Sequence, residues 1–100
     1  MSIDYQAIYD ATDRYMGFSP DEVYHDLIPS QNAYEETLLH LISQEQLEFN
    51  RHAKLQWEAD STTDFMYHRA RKFDAAGKAA AYGKAIFISR RMAAQKEGKA

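Results

Sequence analysis

Apolar side chains near the start of the chain recur at the spacing of a helix. They fall at steps of three and four residues, with acidic and amide side chains between them. Such spacing places the apolar positions on one stripe of an α-helix. The stripe consists of Tyr5, Ile8, Tyr9, Thr12, Tyr15 and Met16. We therefore predict an amphipathic helix that Gly17 can terminate.

The next segment carries signals for both ends of a short helix. Ser19 suits the N-cap, Pro20 the first helical position, and Glu22 the acid position of a capping box. Pro29 should stop this helix because it pushes the preceding residue, Ile28, away from helical geometry. The sequence therefore predicts a short helix between Ser19 and Ile28.

Residues 31–59 contain neither proline nor glycine and repeat apolar residues at helical spacing. They predict one long helix, with a break in the polar run 43–46 as the alternative. Ser61 and Asp64 then form a second N-cap arrangement ahead of further apolar positions. A last helical region is predicted over residues 78–96.

The segment "GKAAAYGKA", which begins at Gly77, superficially resembles a phosphate-binding loop. Five residues rather than four separate its glycines, and Ala85 occupies the position of the required hydroxyl. Gly77 is instead either a break between two helices or a glycine within one, which costs about 1 kcal/mol relative to alanine. Small residues four apart leave one edge of this region open to close approach by another backbone. They are Ala75, Ala79 and Gly83, widened by Ala76 and Ala80.

These elements predict an all-α fold, a compact bundle of four to five helices with one long central helix. A chain of 100 residues suffices for one domain with a modest core. We expect residues 1–96 to form that domain and residues 97–100 to fray. A homodimer joined through the small-residue edge is an alternative to packing within one chain.

Composition narrows the class of protein. The chain has no cysteine, which excludes disulfides, thiolate metal sites and cysteine nucleophiles. The N-terminus lacks the basic start and apolar run of a signal peptide, and no run approaches the roughly 18 apolar residues of a membrane span. We expect a cytoplasmic protein without membrane contact.

The net charge of −3 conceals a division between the two halves of the chain. Residues 1–50 carry ten acidic residues and one basic residue, whereas residues 51–100 carry five acidic and eleven basic residues. Opposite charges of this kind can join two halves of one fold, join two copies, or form separate surfaces for partners. Composition does not choose among these.

Each of the four histidines follows an acidic residue by four positions, as neighbours on a helix do. The pairs are Asp21 with His25, Glu36 with His40, Glu48 with His52, and Asp64 with His68. Exposed ion pairs are the favoured interpretation, over metal ligation or pH sensing. Helical di-metal sites use Glu-x-x-His, and zinc sites need three or four converging ligands. We therefore predict no metal site.

The remaining residues give no pattern for catalysis. Most serines stand beside predicted helix starts, where capping accounts for them. The chain lacks a Gly-x-Ser-x-Gly elbow and any order of Asp and His that would suggest a triad. We expect no catalytic residue, no cofactor and no enzymatic activity.

Acidic residues interleaved with tyrosines in the first part of the chain predict a partner-binding face. Tyrosine is enriched at protein interfaces, and carboxylates suit a partner whose surface is basic because it handles DNA or RNA. The predicted face comprises Asp4, Tyr5, Asp10, Asp13, Asp21, Glu22 and Asp26. The leading hypothesis is a small inhibitor or adaptor that docks on a nucleic-acid-handling protein complex, as phage inhibitors of similar size and charge do.

The alternative is direct DNA or RNA binding by the basic C-terminal part, where aromatic residues are interleaved with lysines and arginines. The candidate residues are Arg69, Arg71, Lys72, Lys78, Lys84, Arg90 and Arg91. Their spacing does not keep them on one helical face, and no known nucleic-acid-binding motif accompanies them. A basic surface that faces the chain's own acidic half explains the same charges.

Overall fold

In the computed structural model, the described residues are 18–96, and within this range they form three α-helices and no strand. Helix α1 spans Pro20–Leu27, α2 spans Ala33–Glu58 and α3 spans Thr62–Lys96. The all-α class is confirmed. The expected count of four to five helices is not confirmed within this range. Helix α3 runs through Gly77 without a break, so of the two alternatives for that residue the structure shows a glycine within one helix. The predicted helix of residues 5–16 and the tail 97–100 lie outside the described residues.

Helix α1 begins and ends as the sequence predicts. The Ser19 hydroxyl accepts a hydrogen bond from the Glu22 N–H at 3.4 Å, and the Glu22 carboxylate accepts from the Ser19 N–H at 3.1 Å. This reciprocal capping box satisfies two backbone donors that the first helical turn leaves unpaired. Ile28 is extended, with ψ at 152°, and a cis peptide bond joins it to Pro29.

Helix α2 is continuous through the polar run 43–46, which confirms the long central helix. Its start is fixed by Asn32, whose side chain accepts from the Glu35 N–H at 2.9 Å. Within the polar run, Ser43 donates its hydroxyl to the His40 carbonyl at 2.7 Å. A hydroxyl bonded to the preceding turn is tolerated within a helix at a small cost in stability, and the helix continues through this run.

Helix α3 starts where the second N-cap was predicted, because the Ser61 hydroxyl accepts from the Asp64 N–H at 3.1 Å. Gly77 lies inside this helix and is exposed. A Cβ atom placed there would meet no neighbouring atom within 4 Å. Gly77 is therefore a glycine tolerated in a helix, and nothing packed against it requires the missing side chain.

Helices α2 and α3 form an antiparallel hairpin closed by the short connection 59–61. Cross-helix contacts join Glu35 to Arg90 at its open end and Trp57 to Phe65 beside the loop. Helix α1 packs on both long helices near the open end, where Val23 and Leu27 join the core. The described residues extend 56 Å along the long axis, so the open end and the loop end are well separated.

The apolar core occupies the half of the hairpin nearest the open end. Its buried residues are Val23, Leu27, Leu39, Ile42, Ala79 and Ile86. The predicted small-residue edge is buried, since Ala75, Ala79 and Gly83 are all inaccessible to solvent or nearly so. Ala79 lies in the same cluster as Leu39 and Ile42 of α2. This supports the explanation that the small side chains let another helix approach closely, here α2 of the same chain.

The different surroundings of Gly77 and Ala79 lead to opposite predictions for two neighbouring positions. Gly77→Ala should raise the free energy of unfolding by about 0.5–1 kcal/mol, because it restricts the unfolded chain and no atom obstructs the added methyl group. Ala79→Leu should lower it by about 1–3 kcal/mol through overpacking of the core. Urea denaturation of both variants and the wild type measures the two effects. A Gly77→Ala protein less stable than the wild type would contradict the first expectation.

Candidate functional site

Large aromatic side chains are exposed at the loop end of the hairpin. Trp57 is 76% exposed, Tyr67 55% and Phe73 54%. Trp57 contacts Phe65 edge to face across the loop, with ring centroids 5.7 Å apart. We call this region the loop-end surface; it comprises Trp57, Phe65, Met66, Tyr67, Arg69 and Phe73. Scattered exposed apolar residues are normal, whereas several large ones near one another make this region the candidate binding surface.

Two cations flank the exposed ring of Phe73. The Arg69 guanidinium lies 5.1 Å from the ring centroid, and the Lys72 ammonium lies 5.3 Å from it. Lys72 also approaches Phe49 of α2 at 5.9 Å. Contacts between cations and aromatic faces contribute about 0.5–1 kcal/mol at exposed positions. They hold the cations beside the ring, so the surface offers apolar area and positive charge together.

Arg90, a predicted nucleic-acid contact, is engaged inside the chain. Its guanidinium donates to Glu35 Oε1 from Nη2 at 2.7 Å and from Nε at 3.1 Å. Nη2 also donates to the Leu27 carbonyl at 2.6 Å and the Pro29 carbonyl at 3.2 Å. The Glu35 side chain is 1% exposed and accepts from the Gln31 N–H at 3.1 Å. This contact joins the basic and acidic halves of the chain within one fold.

The other lysines and arginines predicted to contact nucleic acid do not form one continuous cationic row. Lys78 pairs with Asp74 at 3.4 Å, and both side chains are about half exposed. Arg69, Arg71 and Arg91 are exposed, whereas Lys72 and Lys84 are half-buried. The structure therefore brings Arg69 and Lys72 together around Phe73 and separates them from Arg90 by most of the length of α3.

The predicted acidic face is described only in part. Asp21, Glu22 and Asp26 are exposed on α1, whereas Asp4, Tyr5, Asp10 and Asp13 lie outside the described residues. Asp21 pairs with His25 at 3.2 Å, and Glu22 belongs to the capping box. These carboxylates lie at the open end of the hairpin, far from the loop-end surface.

The interpretation of the histidines as exposed ion pairs holds for His25 and is wrong for His52. His52 does approach Glu48, at 3.5 Å, but its side chain is buried between the two long helices. Its Nδ1 atom lies 3.0 Å from Nδ1 of His68, a contact across the hairpin that local spacing does not indicate. Of the two remaining pairs, neither forms: His40 contacts Gln44 at 3.1 Å, and His68 contacts His52 rather than Asp64.

The described part of the chain contains no group of three or more His, Cys, Asp or Glu residues that could hold a metal ion. A cleft of about 520 Å³ lies between α1 and α2 and is open to solvent. It is lined by Tyr24, Ile28, Pro29, Ser30, Glu36, Leu39, His40 and Ser43. This lining has neither a buried charge nor an unpaired polar group directed at a ligand, so the loop-end surface remains the stronger candidate.

Comparisons with protein families, curated proteins and solved structures give no match to this chain. Within residues 18–96, no helix combines the length and the apolar character needed to cross a membrane. Function must therefore be argued from the chemistry of the surfaces themselves.

The buried pair of Glu35 and Arg90 predicts an asymmetry between single and double variants. Arg90→Met should lower the free energy of unfolding by about 3 kcal/mol, because it leaves the Glu35 carboxylate buried without its cation. Combining it with Glu35→Met should recover much of that loss, since no uncompensated charge remains. Urea denaturation measures both. Lys78→Met, which breaks an exposed pair, is the control and should cost about 0.5 kcal/mol or less. An Arg90→Met effect no larger than that of the control would show that loss of the pair does not destabilise the fold.

Proposed function

We propose that this protein is a non-enzymatic protein-binding module that contacts its partner through the loop-end surface. The observation that carries the proposal is the exposure of three large aromatic side chains, Trp57, Tyr67 and Phe73, in the half of the hairpin nearest the loop. Other exposed apolar side chains, among them Tyr34, Leu47 and Met92, lie elsewhere on the two long helices. Tryptophan, tyrosine and arginine are enriched among the residues that dominate the energetics of protein interfaces. The two aromatic residues bury large areas with few rotatable bonds, and arginine adds charged hydrogen-bond donors. The same residue types make up this surface.

The charges around Phe73 indicate the chemistry of the partner. Arg69 and Lys72 lie beside the ring and would form its rim in a complex. An apolar pocket edged by carboxylates would accept the ring and pair with both cations, which gives specificity and faster association. The proposed partner is therefore a protein with an acidic rim around an apolar pocket.

The carboxylates of α1 suggest a second contact at the other end of the molecule. Asp21, Glu22 and Asp26 are exposed there, where they would suit a basic groove such as that of a nucleic-acid-handling complex. Two surfaces of opposite chemistry at opposite ends favour an adaptor over a simple inhibitor, because an adaptor must bind two surfaces at once. This more specific form of the proposal rests on charge and position.

Direct nucleic-acid binding is the second candidate, and the arrangement around Phe73 is what favours it. An exposed ring with adjacent cations can stack a base and neutralise phosphate. Arg90 would contribute little, since its Nε and Nη2 groups are committed to Glu35 and to two carbonyls. Protein binding accounts for more of the exposed side chains than nucleic-acid binding does, because Trp57 and Met66 extend the apolar surface beyond the cations.

Comparison of matched variants tests the leading proposal. Immobilised wild type, Trp57→Ala, Phe73→Ala and Met92→Ala proteins are each exposed to the same cell extract, and retained proteins are quantified by mass spectrometry. Met92 is exposed near the far end of α3 and serves as the control. We expect the wild type and Met92→Ala to retain the same partner, and both loop-end variants to lose it at least about tenfold, as truncation of interface anchors does. Equal recovery by all four proteins would refute the loop-end surface.

A purified partner then allows a direct measurement, because Trp57 is the single tryptophan of the chain. Its fluorescence should shift to shorter wavelength when the partner covers it. A labelled single-stranded oligonucleotide, titrated at rising salt, tests the second candidate. Binding that weakens steeply with salt, and less steeply in Arg69→Gln, would favour nucleic acid over protein.

A further inference from the structure

The contact between His52 and His68 places two identical ring nitrogens against each other. The Nδ1 atoms are 3.0 Å apart, with ring centroids separated by 5.2 Å and planes tilted by 31°. His52 is 5% exposed on α2, whereas His68 is half-buried on α3. Two such nitrogens form a hydrogen bond only when one carries a proton and the other presents a lone pair. The contact therefore holds one proton between the two helices.

The neighbouring carboxylate determines which ring donates. Glu48 Oε2 lies 3.5 Å from Nε2 of His52, and an ionised carboxylate can only accept. This favours the neutral form of His52 with its proton on Nε2, which leaves Nδ1 as an acceptor. His68 must then donate from its own Nδ1. The order from α2 to α3 is carboxylate, neutral imidazole, donor imidazole.

A second proton on His52 is incompatible with this order. It would place hydrogens on both Nδ1 atoms at a separation of 3.0 Å. The hydrogen bond then persists only if His68 releases its Nδ1 proton to water and takes one up on Nε2, so that His52 becomes the donor. Once both imidazoles are protonated, each Nδ1 carries a hydrogen and the rings must part. Burial is the main cause that lowers the pKa of His52 below its ordinary value of 6.5. The nearby charges of Arg51, His68 and Arg71 lower that pKa further, and Glu48 opposes them.

Other groups surround the contact on both helices. Glu45 of α2 and Asp74 and Lys78 of α3 line a small adjoining cleft together with Glu48, His52 and Arg71. On the other side, the Tyr67 ring meets both imidazoles edge to face, at centroid distances of 6.3 Å from His52 and 5.1 Å from His68. Tyr67 thus links the histidine contact to the loop-end surface.

We propose that His52 and His68 form an acid-sensitive latch, which pairs the two long helices near the loop while at least one of the rings is neutral and releases them when both rings are protonated. Release removes the support that both imidazoles give to the Tyr67 ring and changes the loop-end surface. The latch adds regulation to the fold and does not depend on the identity of any partner.

The sign of the pH dependence follows from proton binding. The folded protein holds a proton on His52 less tightly than the unfolded chain does. As the pH falls below about 6.5, the unfolded state takes up that proton first, so the unfolding equilibrium constant rises by up to about tenfold per pH unit for a single site. The effect ends below the lowered pKa of the folded protein, and the stabilisation is fully present above the ordinary value.

Urea denaturation between pH 8 and pH 5 tests the latch in three proteins: the wild type, His52→Asn and His40→Asn. Asparagine keeps an acceptor near the position of Nδ1 but does not titrate. His40, an exposed histidine of the same helix, is the matched control. The wild type and His40→Asn should lose stability in parallel below pH 6.5, whereas His52→Asn should lose less. The difference between the unfolding constants of the wild type and His52→Asn should grow by up to about tenfold for each pH unit. Identical pH profiles for His52→Asn and the wild type would overturn the proposal.

Nuclear magnetic resonance of the wild type decides the question even if His52→Asn does not fold. Ring nitrogen shifts at pH 7 should show His52 neutral with its proton on Nε2, and its titration should lie below 6.5. Contacts between hydrogens of the two imidazoles should vanish once both rings are protonated. Titration of His52 at or above 6.5, or ring contacts that persist when both rings are fully protonated, would rule out the latch.

Discussion

The ion pair of Glu35 and Arg90 constrains the position of all three described helices. Arg90 is carried by α3, Glu35 lies in the first turn of α2, and the carbonyls of Leu27 and Pro29 mark the end of α1 and the connection that follows. A guanidinium with several donors in fixed geometry can satisfy these acceptors at once. A buried ion pair adds little net stability compared with apolar residues. Its contribution is to fix which turn of α3 faces which turn of α2.

That register separates the hairpin into two halves with different interiors. Near the open end, the interior is apolar and closely packed, with Ile42 and Ile86 fully buried. Toward the loop the buried side chains are His52 and Gln56, and the Gln56 Oε1 atom has no hydrogen-bond partner among the described residues. Apolar burial thus holds one half, whereas the polar contact that crosses the helices in the other half is that of His52 with His68. Imidazole titrates near neutral pH and apolar side chains do not, so among the described residues only the second interior contains a group whose charge can change there.

Local rules predicted the elements better than their contacts. The capping box at Ser19, the stop at Pro29 and the start at Ser61 depend on residues within four positions of one another, so the sequence reveals them directly. Glu35 and Arg90 are 55 positions apart, and His52 and His68 are 16 apart. Which of them meet depends on the register of two long helices, and no local pattern contains that information. For Gly77 the local pattern left two alternatives, a break or a glycine within one helix, and the structure shows the second, because propensity is a weak prior against packing along the rest of α3.

The exposure of Trp57 and Phe73 follows from the same division. A short loop brings α2 and α3 together as a pair at that end, and α1, which covers the core, packs at the opposite end. Two helices alone cannot enclose large rings on their outer faces, so aromatic residues placed there stay in contact with water. Keeping them there costs hydrophobic free energy that a core position would have gained. A partner that covers them would recover it, and for that reason the loop end, rather than the open cleft beside α1, is the surface on which we place binding.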